Sequence, residues 1–210
     1  MNKDERKNFD QEAAAWDRNP GRVALARDVA DAITSSMRPG KDMDVLDVGC
    51  GTGLVTLSLQ PHVRTITGAD SSPGMLAVLE AKARDQHLAN IRTQIVDFEQ
   101  GRTAAGAYDL VVSSMMLHHL PDPGALFRQL RGLLKPDGIL CIADLDAEDG
   151  SFHADRTGVF HFGFDRDRLK TLLQQAGFRD VQDRTASTIV RDATGQEPKE
   201  FTVFLITARL

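Results

Sequence analysis

The stretch that most constrains the fold is VLDVGCGTG, Val45 to Gly53. An apolar run interrupted by one acid ends in three glycines that alternate with Cys50 and Thr52. The apolar residues of a helix begin directly afterwards, at Leu54. Glycine loses more backbone freedom on folding than any other residue, so this density marks a main chain that turns tightly and approaches something closely. A strand that enters such a loop and leaves it as a helix opens a parallel α/β unit, with the loop facing a ligand.

The rest of the chain repeats that alternation. Strands are predicted at Met43–Val48, Val63–Ala69, Ile91–Val96, Tyr108–Ser113, Ile139–Ala143, Phe178–Val190 and Phe201–Ala208. Helical spacing of apolar residues falls between them: from Leu54 to Leu59, from Ser72-Pro73 to about Gln86, from Pro123 through Leu126, Leu130, Leu133 and Leu134, and from Asp165 through Leu169, Leu172, Leu173 and Ala176 to Gly177. Pro136-Asp137-Gly138 is predicted as a turn into the fifth strand, and Glu197-Pro198 as a break before the last. Two helices precede the first strand. Residues 3–16 carry Phe9, Ala13 and Trp16 on one face, and Asn19-Pro20 opens a second helix that Pro39-Gly40 ends. Helices between strands imply a parallel sheet covered on both faces. No helix separates the last two strands, so the final one is expected to run antiparallel. The expected fold is a doubly wound α/β sheet of seven strands, mostly parallel. Residues 1–40 form an N-terminal helical lid, and 41–210 form one domain.

The bulk properties narrow the partners. Net charge is −5 and no Lys/Arg run occurs, so no nucleic-acid partner is expected. The two cysteines have neither disulfide-framework nor zinc-ligand spacing. The opening MNKDERKNFD is too charged for a signal peptide, and no apolar run reaches membrane-spanning length. These features lead us to expect a cytoplasmic protein without membrane insertion, monomeric or homodimeric.

Four further motifs follow the glycine loop in order. Asp70 ends the second strand, Asp97-Phe98 follows the third, YDLVVSSMMLHHL (Tyr108–Leu120) contains the fourth, and LLKPDG (Leu133–Gly138) precedes the fifth. The glycine spacing is G-x-G-x-G, not the G-x-G-x-x-G of dinucleotide enzymes. Together these motifs resemble the class I S-adenosylmethionine-dependent methyltransferases. The branch is the small-molecule one, similar to the ubiquinone/menaquinone-biosynthesis type. The resemblance covers about residues 43–145.

That resemblance implies S-adenosylmethionine as methyl donor and assigns roles to its binders. Backbone N–H groups of Gly49, Cys50, Gly51 and Gly53 meet the methionine part. Asp47 lies under the loop, contacting the amino group through water or bracing the turn. Asp70 accepts the ribose hydroxyls, with Ser71 and Met75 next to it. Met75 reads equally as an adenine contact or as core. Asp97 meets the adenine amino group, Phe98 packs on the ring, and Ser113 offers its carbonyl near the amine. Trp16 packs over the cofactor or belongs to the core. His118 and His119 read as mostly structural.

Residues 144–164, DLDAEDGSFHADRTGVFHFGF, form a loop long enough to be functional, with four phenylalanines that argue for order. It follows the fifth strand, where this class places its acceptor pocket. His153 and His161 are the candidates to take a proton from the acceptor. The acids of the loop with His153 could also hold a metal, but charged loop residues are more often solvated, and no metal is expected. The expected function is methyl transfer to a small-molecule acceptor. The rival readings are a methyltransferase of protein or nucleic acid, a non-catalytic S-adenosylmethionine-binding module, and a nicotinamide oxidoreductase. The glycine spacing disfavours the last, and SSMM after the fourth strand lacks the Asn-Pro-Pro-aromatic stretch of amino-methylating DNA enzymes.

Overall fold

The computed structural model describes residues 7–191 and 198–210. Seven strands form one sheet: β1 (Asp44–Val48), β2 (Thr65–Asp70), β3 (Ile91–Ile95), β4 (Tyr108–Ser114), β5 (Leu134–Leu145), β6 (Arg179–Arg191) and β7 (Lys199–Arg209). Their spatial order is β3-β2-β1-β4-β5-β7-β6. The pairs among β1 to β5 are parallel, and β7 slots antiparallel between β5 and β6. The strand order reverses between β1 and β4, so the loops that leave these two strands diverge and open a crevice at the carboxyl edge.

Two-sided burial explains why the strands read as apolar runs. Leu46, Val48, Val111, Leu140, Ile142, Phe204 and Ile206 face one core with α5 (Pro123–Arg131) and α6 (Arg166–Gln175). The alternate residues Val45, Leu110, Val112, Cys141, Ala143, Val203 and Leu205 face a second core with α2 (Pro20–Met37) and α3 (Leu54–Leu59). Between β2 and β3, α4 (Pro73–Asp85) buries Leu76 and Leu79 beside Cys50. Most helices start where the sequence places a cap. The side chains of Asn19, Ser72, Asp122 and Asp165 each accept a backbone N–H from the first turn.

Three predicted boundaries need correction. The predicted helix over 3–16 is a short α1 (Phe9–Glu12) continued by a 3-10 segment, Ala13–Arg18; residues 3–6 lie outside the described residues. Of these two segments only Ala13 is buried, too little apolar contact to sustain a longer helix. Leu133 and Leu134 are not on α5, which stops at Arg131; Leu134 already pairs with Tyr108 as the start of β5. The Pro136–Gly138 turn is an irregularity inside β5, with Asp137 at φ 60° and the register shifting opposite Tyr108 and Leu110. The predicted break before β7 falls on Glu197, outside the described residues, and on Pro198. Among the described residues no helix is long and apolar enough to cross a membrane.

Since β7 is central to the late part of the sheet, Phe204→Ala is expected to lower the unfolding free energy by about 3–5 kcal/mol. Val190→Thr, on the exposed face of the edge strand, should stay within about 0.5 kcal/mol. Urea denaturation of the two variants checks this contrast, and equal losses would contradict the layer assignment.

Candidate cofactor and acceptor site

The glycine loop is built by contacts that differ from one glycine to the next. All three glycines have positive φ: 70°, 54° and 82° for Gly49, Gly51 and Gly53. A Cβ on Gly49 would stand 2.3 Å from Met116 Cγ, and one on Gly53 2.3 Å from Leu79 Cδ1. These two glycines are required by packing inside the protein. A Cβ on Gly51 would find only Met75 Sδ, at 3.9 Å. Gly51 is therefore the position where the loop backbone faces open space.

Two carboxylates stand under this loop, at the ends of adjacent parallel strands. Asp47 is fully buried and accepts the Thr56 hydroxyl at 2.6 Å. Burial pushes its carboxyl up to about 7, and the neighbouring Asp70 adds to this against the hydrogen bonds from Thr56. Asp70 accepts the Gly51 N–H at 2.8 Å on one oxygen and the Ser72 N–H at 2.9 Å on the other. Burial raises its pKa also, opposed by those backbone donors. Cys50 is a closed thiol, pushed well up by burial and by the two acids.

Of the remaining predicted binders, Ser71, Asp97 and Ser113 lie at or just beyond the carboxyl ends of β2, β3 and β4. Ser71 is exposed beside Asp70, and Met75 is buried in the first turn of α4, next to Gly51. Asp97 caps the short turn Phe98–Gln100, its carboxylate accepting the Gln100 N–H. Phe98 is buried against the core that carries α5 and α6. Ser113 sits opposite Val48 in the sheet, and its buried hydroxyl has no hydrogen-bond partner.

An N-terminal clip, which the sequence did not reveal, ties down this region. Asp10 accepts the Ser72 hydroxyl at 2.5 Å and the Gly74 N–H at 2.7 Å. Asp17 accepts the Thr52 hydroxyl and pairs with Lys82, which also donates to the Thr52 carbonyl. Phe9 packs edge-on against both Trp16 and His119, and the Arg22 guanidinium covers the Trp16 ring. The polar partners of Asp10, Asp17 and Lys82 are 30 or more residues away in sequence, and no local pattern could have paired them.

On the other side of the crevice, the loop after β5 is stitched into place. Its two arms exchange backbone hydrogen bonds between Ala147 and Phe164 and between Glu148 and Phe162. The Phe160 and His161 N–H groups donate to the His118 carbonyl. Phe152 and Phe164 are buried, while Phe160 and Phe162 are exposed. His161 places Nε2 3.0 Å from the Leu120 carbonyl and packs on Phe164. His153 joins a cluster instead: its ring lies 4.8 Å from that of His118, which lies 4.2 Å from that of His119. The acids considered as metal ligands have separate partners: Asp144 holds His118, Asp146 holds Arg166, and Glu148 accepts the Ser151 and Phe152 N–H groups. Among the described residues no group of three or more His, Cys, Asp or Glu is placed to hold a metal ion.

With this geometry in view, the comparison with known proteins is direct. The methyltransferase domain family matches residues 22–183. The chain belongs to that family. It is 32% identical over 155 residues to an uncharacterized methyltransferase of Schizosaccharomyces pombe, covering 67% of this chain and 55% of that protein. It is 36% identical over 106 residues to the ubiquinone biosynthesis O-methyltransferase of Actinobacillus pleuropneumoniae, covering 49% of this chain and 45% of that one. The chain thus spans about half the length of the curated relatives it matches. Among solved structures, Haemonchus contortus phosphoethanolamine N-methyltransferase 2, in complex with phosphomonomethylethanolamine and S-adenosylhomocysteine, superposes with a TM-score of 0.69 at 16% identity. That likeness covers 86% of this chain and 52% of the other, and it shows the shared fold.

The buried acid under the loop gives a pH signature. The Asp47 carboxyl titrates at about 7 in the folded protein against 3.8 ordinarily, so the folded state holds a proton that the unfolded state has lost between those values. Its contribution to stability therefore falls as pH rises through that window and stays low above it. Asp47→Asn, which keeps an acceptor for Thr56, is expected to raise the urea midpoint at pH 8 relative to the wild type and to leave it nearly unchanged at pH 3.5. A difference independent of pH would show that the carboxyl is not held protonated by burial.

Proposed function

We propose that this methyltransferase domain takes its methyl group from S-adenosylmethionine and passes it to a small-molecule acceptor. The observation that carries this reading is the open backbone at Gly51, clamped from below by Asp70. A loop whose Gly49 and Gly53 positions are filled by Met116 and Leu79 leaves one place, at Gly51, where a ligand can approach the main chain; the N–H groups of Gly49, Cys50, Gly51 and Gly53 themselves donate to Ala69, Asp70 and Cys50. The residues present fit this ligand. An ionised carboxylate has about four lone-pair sites, so Asp70 can accept ribose hydroxyls in addition to its two backbone donors. The orphaned Ser113 hydroxyl offers a partner at the root of the crevice for the amino-acid part. Asp47 and Asp70 suit a ligand that carries an ammonium and a sulfonium, because a nearby cation favours their charged forms. In this reading Met75, on the first turn of α4, meets the adenine, and Asp97, just beyond β3, accepts from its amino group. Phe98 contributes from within the core.

S-adenosylmethionine supplies an already activated methyl group, so the protein's task is to align the acceptor and exclude water. Of residues 1–40, the proposed lid, the part ahead of α2 serves that end through the Asp10 and Asp17 contacts, with Trp16 beneath Arg22. The stitched loop that follows β5 is the acceptor wall. The small-molecule class is supported by the ubiquinone biosynthesis O-methyltransferase among the relatives and by the absence of a Lys/Arg run in the sequence.

Two measurements test this. S-adenosylhomocysteine at a hundredfold over its dissociation constant should stabilise the protein by about 2.7 kcal/mol, and NAD should not. Its binding should also change the fluorescence of Trp16, the sole tryptophan. A melting shift with NAD alone would reverse the assignment. Asp70→Ala is expected to weaken S-adenosylhomocysteine at least tenfold by calorimetry, since hydrogen bonds to a charged group contribute about 1.5–3 kcal/mol each. Unchanged affinity would place the ribose elsewhere.

A further inference from the structure

Three imidazoles and one carboxylate meet beside the glycine loop, on elements that the sequence keeps apart. His118 and His119 lie on the turn Leu117–His119 that follows β4, Asp144 is near the end of β5, and His153 is on the acceptor wall. Met116, two residues before His118, packs on Gly49, and Phe9 of the lid packs on His119. The cluster therefore lies where the crevice, the lid and the wall converge.

Its hydrogen bonds fix the protons. Asp144 is fully buried, and one of its oxygens lies 2.7 Å from His118 Nδ1 while also accepting the Leu145 N–H at 2.8 Å. The other oxygen accepts the His118 N–H at 3.2 Å. Burial pushes the Asp144 carboxyl up, but the His118 ring and these donors outweigh it and hold it below the usual range. His118 thus carries a proton on Nδ1, facing an ionised carboxylate. His119 Nδ1 lies 2.7 Å from the Gly158 carbonyl, which can only accept, so the neutral ring of His119 also carries its proton on Nδ1. His153 differs from both: its Nε2 is buried and has no hydrogen-bond partner. A buried ring nitrogen without a partner is costly unless something docks against it.

We propose that His153 Nε2 is the proton acceptor of the transfer, that the His118–Asp144 pair positions it, with Asp144 favouring its charged form, and that the acceptor molecule is a neutral hydroxyl compound of the phenol or enol class. This rests on the methyltransferase reading above. In the step, the acceptor oxygen forms a bond to the methyl carbon, and the carbon–sulfur bond breaks with its electron pair going to sulfur. The hydroxyl proton moves to His153 Nε2 and is later released to solvent. The products are the methyl ether, S-adenosylhomocysteine and one proton.

The charges around His153 agree with this order of events. The groups that act on it are His118 on the turn after β4, Asp144 on β5, Arg191 on β6 and Lys7 ahead of α1. Burial, then the His118, Arg191 and Lys7 charges, lower its pKa to about 4 against the pull of Asp144. His119 is likewise held at about 4, mainly by burial. Both rings are therefore neutral at neutral pH, and the lone pair on His153 is available before the acceptor arrives. The imidazolium that forms is then favoured by the Asp144 carboxylate.

The test uses catechol as acceptor probe and follows S-adenosylhomocysteine formation from pH 6 to 9 in the wild type, His153→Gln and Asp144→Asn. Expected is catechol-dependent turnover that is nearly independent of pH in the wild type. His153→Gln should lower kcat by about 10² to 10⁴ at pH 7 with little change in the KM of S-adenosylmethionine. Its remaining rate should climb with pH, as phenolate forms in solution and no proton need be removed. Asp144→Asn should show a smaller loss with the same climb. His153 is half-buried on a loop, so its variant keeps the test decisive if the buried Asp144→Asn fails to fold. Wild-type rates from His153→Gln, or a loss with no recovery at high pH, would reduce His153 to a bracing residue. If S-adenosylhomocysteine binds by calorimetry but catechol is not methylated while propanethiol or benzylamine is, or while no probe is, the hydroxyl assignment is overturned and the methyltransferase reading stands. If S-adenosylhomocysteine does not bind, both fall.

Discussion

The hydrogen bond from Gly51 N–H to the Asp70 carboxylate is the contact on which the site depends. It joins the loop after β1 to the end of β2, adding to the parallel strand pairing and to the Gly49 and Cys50 N–H groups that donate to the Ala69 carbonyl. The second Asp70 oxygen holds Ser72 N–H, and the Ser72 hydroxyl accepts the Met75 N–H as the cap of α4. One side chain thereby sets the height of the glycine loop, the start of α4 and the place of Met75. The loop is fixed before any ligand arrives, and a ligand that meets prearranged donors loses less free energy to ordering them. The glycines follow from the same clamp. With the loop drawn down onto Asp70, Met116 and Leu79 occupy the volume where side chains at 49 and 53 would sit.

The crevice is electrically divided. Its β1–β2 side holds one buried and one partly buried acid whose charged forms are disfavoured, and its β4–β5 side holds imidazoles backed by one buried carboxylate that N–H donors keep in its charged form. The difference lies in the donors. Asp144 receives a ring N–H and two backbone N–H groups, whereas Asp47 receives only Thr56 and faces a second carboxylate. A cation on the first side restores the charged forms of its acids, while on the second side Asp144 favours a proton on His153 against burial and the His118 ring. Such a division suits a reaction in which a positive charge is discharged at sulfur while a proton leaves the acceptor.

Most of the sheet was legible because both of its faces are buried, so β1, β4, β5 and β7 show as near-continuous apolar runs. The antiparallel last strand followed from the missing helix between β6 and β7. Failures occurred where helical spacing and strand runs share residues. Leu133 and Leu134 continue the α5 period, yet Gly132 and the pairing of Leu134 with Tyr108 take them into the strand. The glycine loop and its acids were legible because their chemistry is local. The His118–Asp144 pair was not, because it spans β4 and β5 across 26 residues, and each partner alone reads as an ordinary polar residue. Nor could the sequence separate His153 from His161. Only packing leaves one with an unpartnered nitrogen and ties the other to the Leu120 carbonyl.

The two covers of the crevice differ in how they are held, and this bears on which one yields. The loop after β5, the acceptor wall of the proposed reaction, is joined to the sheet by backbone hydrogen bonds to Leu145 and His118 and by the paired contacts of Arg166 with Asp146. The N-terminal segment is held mainly through side chains: Asp10, Asp17 and the ring of Phe9. Exposed ion pairs and hydrogen bonds of that kind contribute about 1 kcal/mol or less each. On the lid reading, the segment before α2 therefore opens at low cost, while the wall that carries His153 keeps its position relative to His118. On the lid and proton-acceptor readings, access for the ligand and precision for the proton acceptor fall to different parts of the chain, which the Lys7–Asp155 ion pair joins directly and Phe9 reaches through the turn at His119.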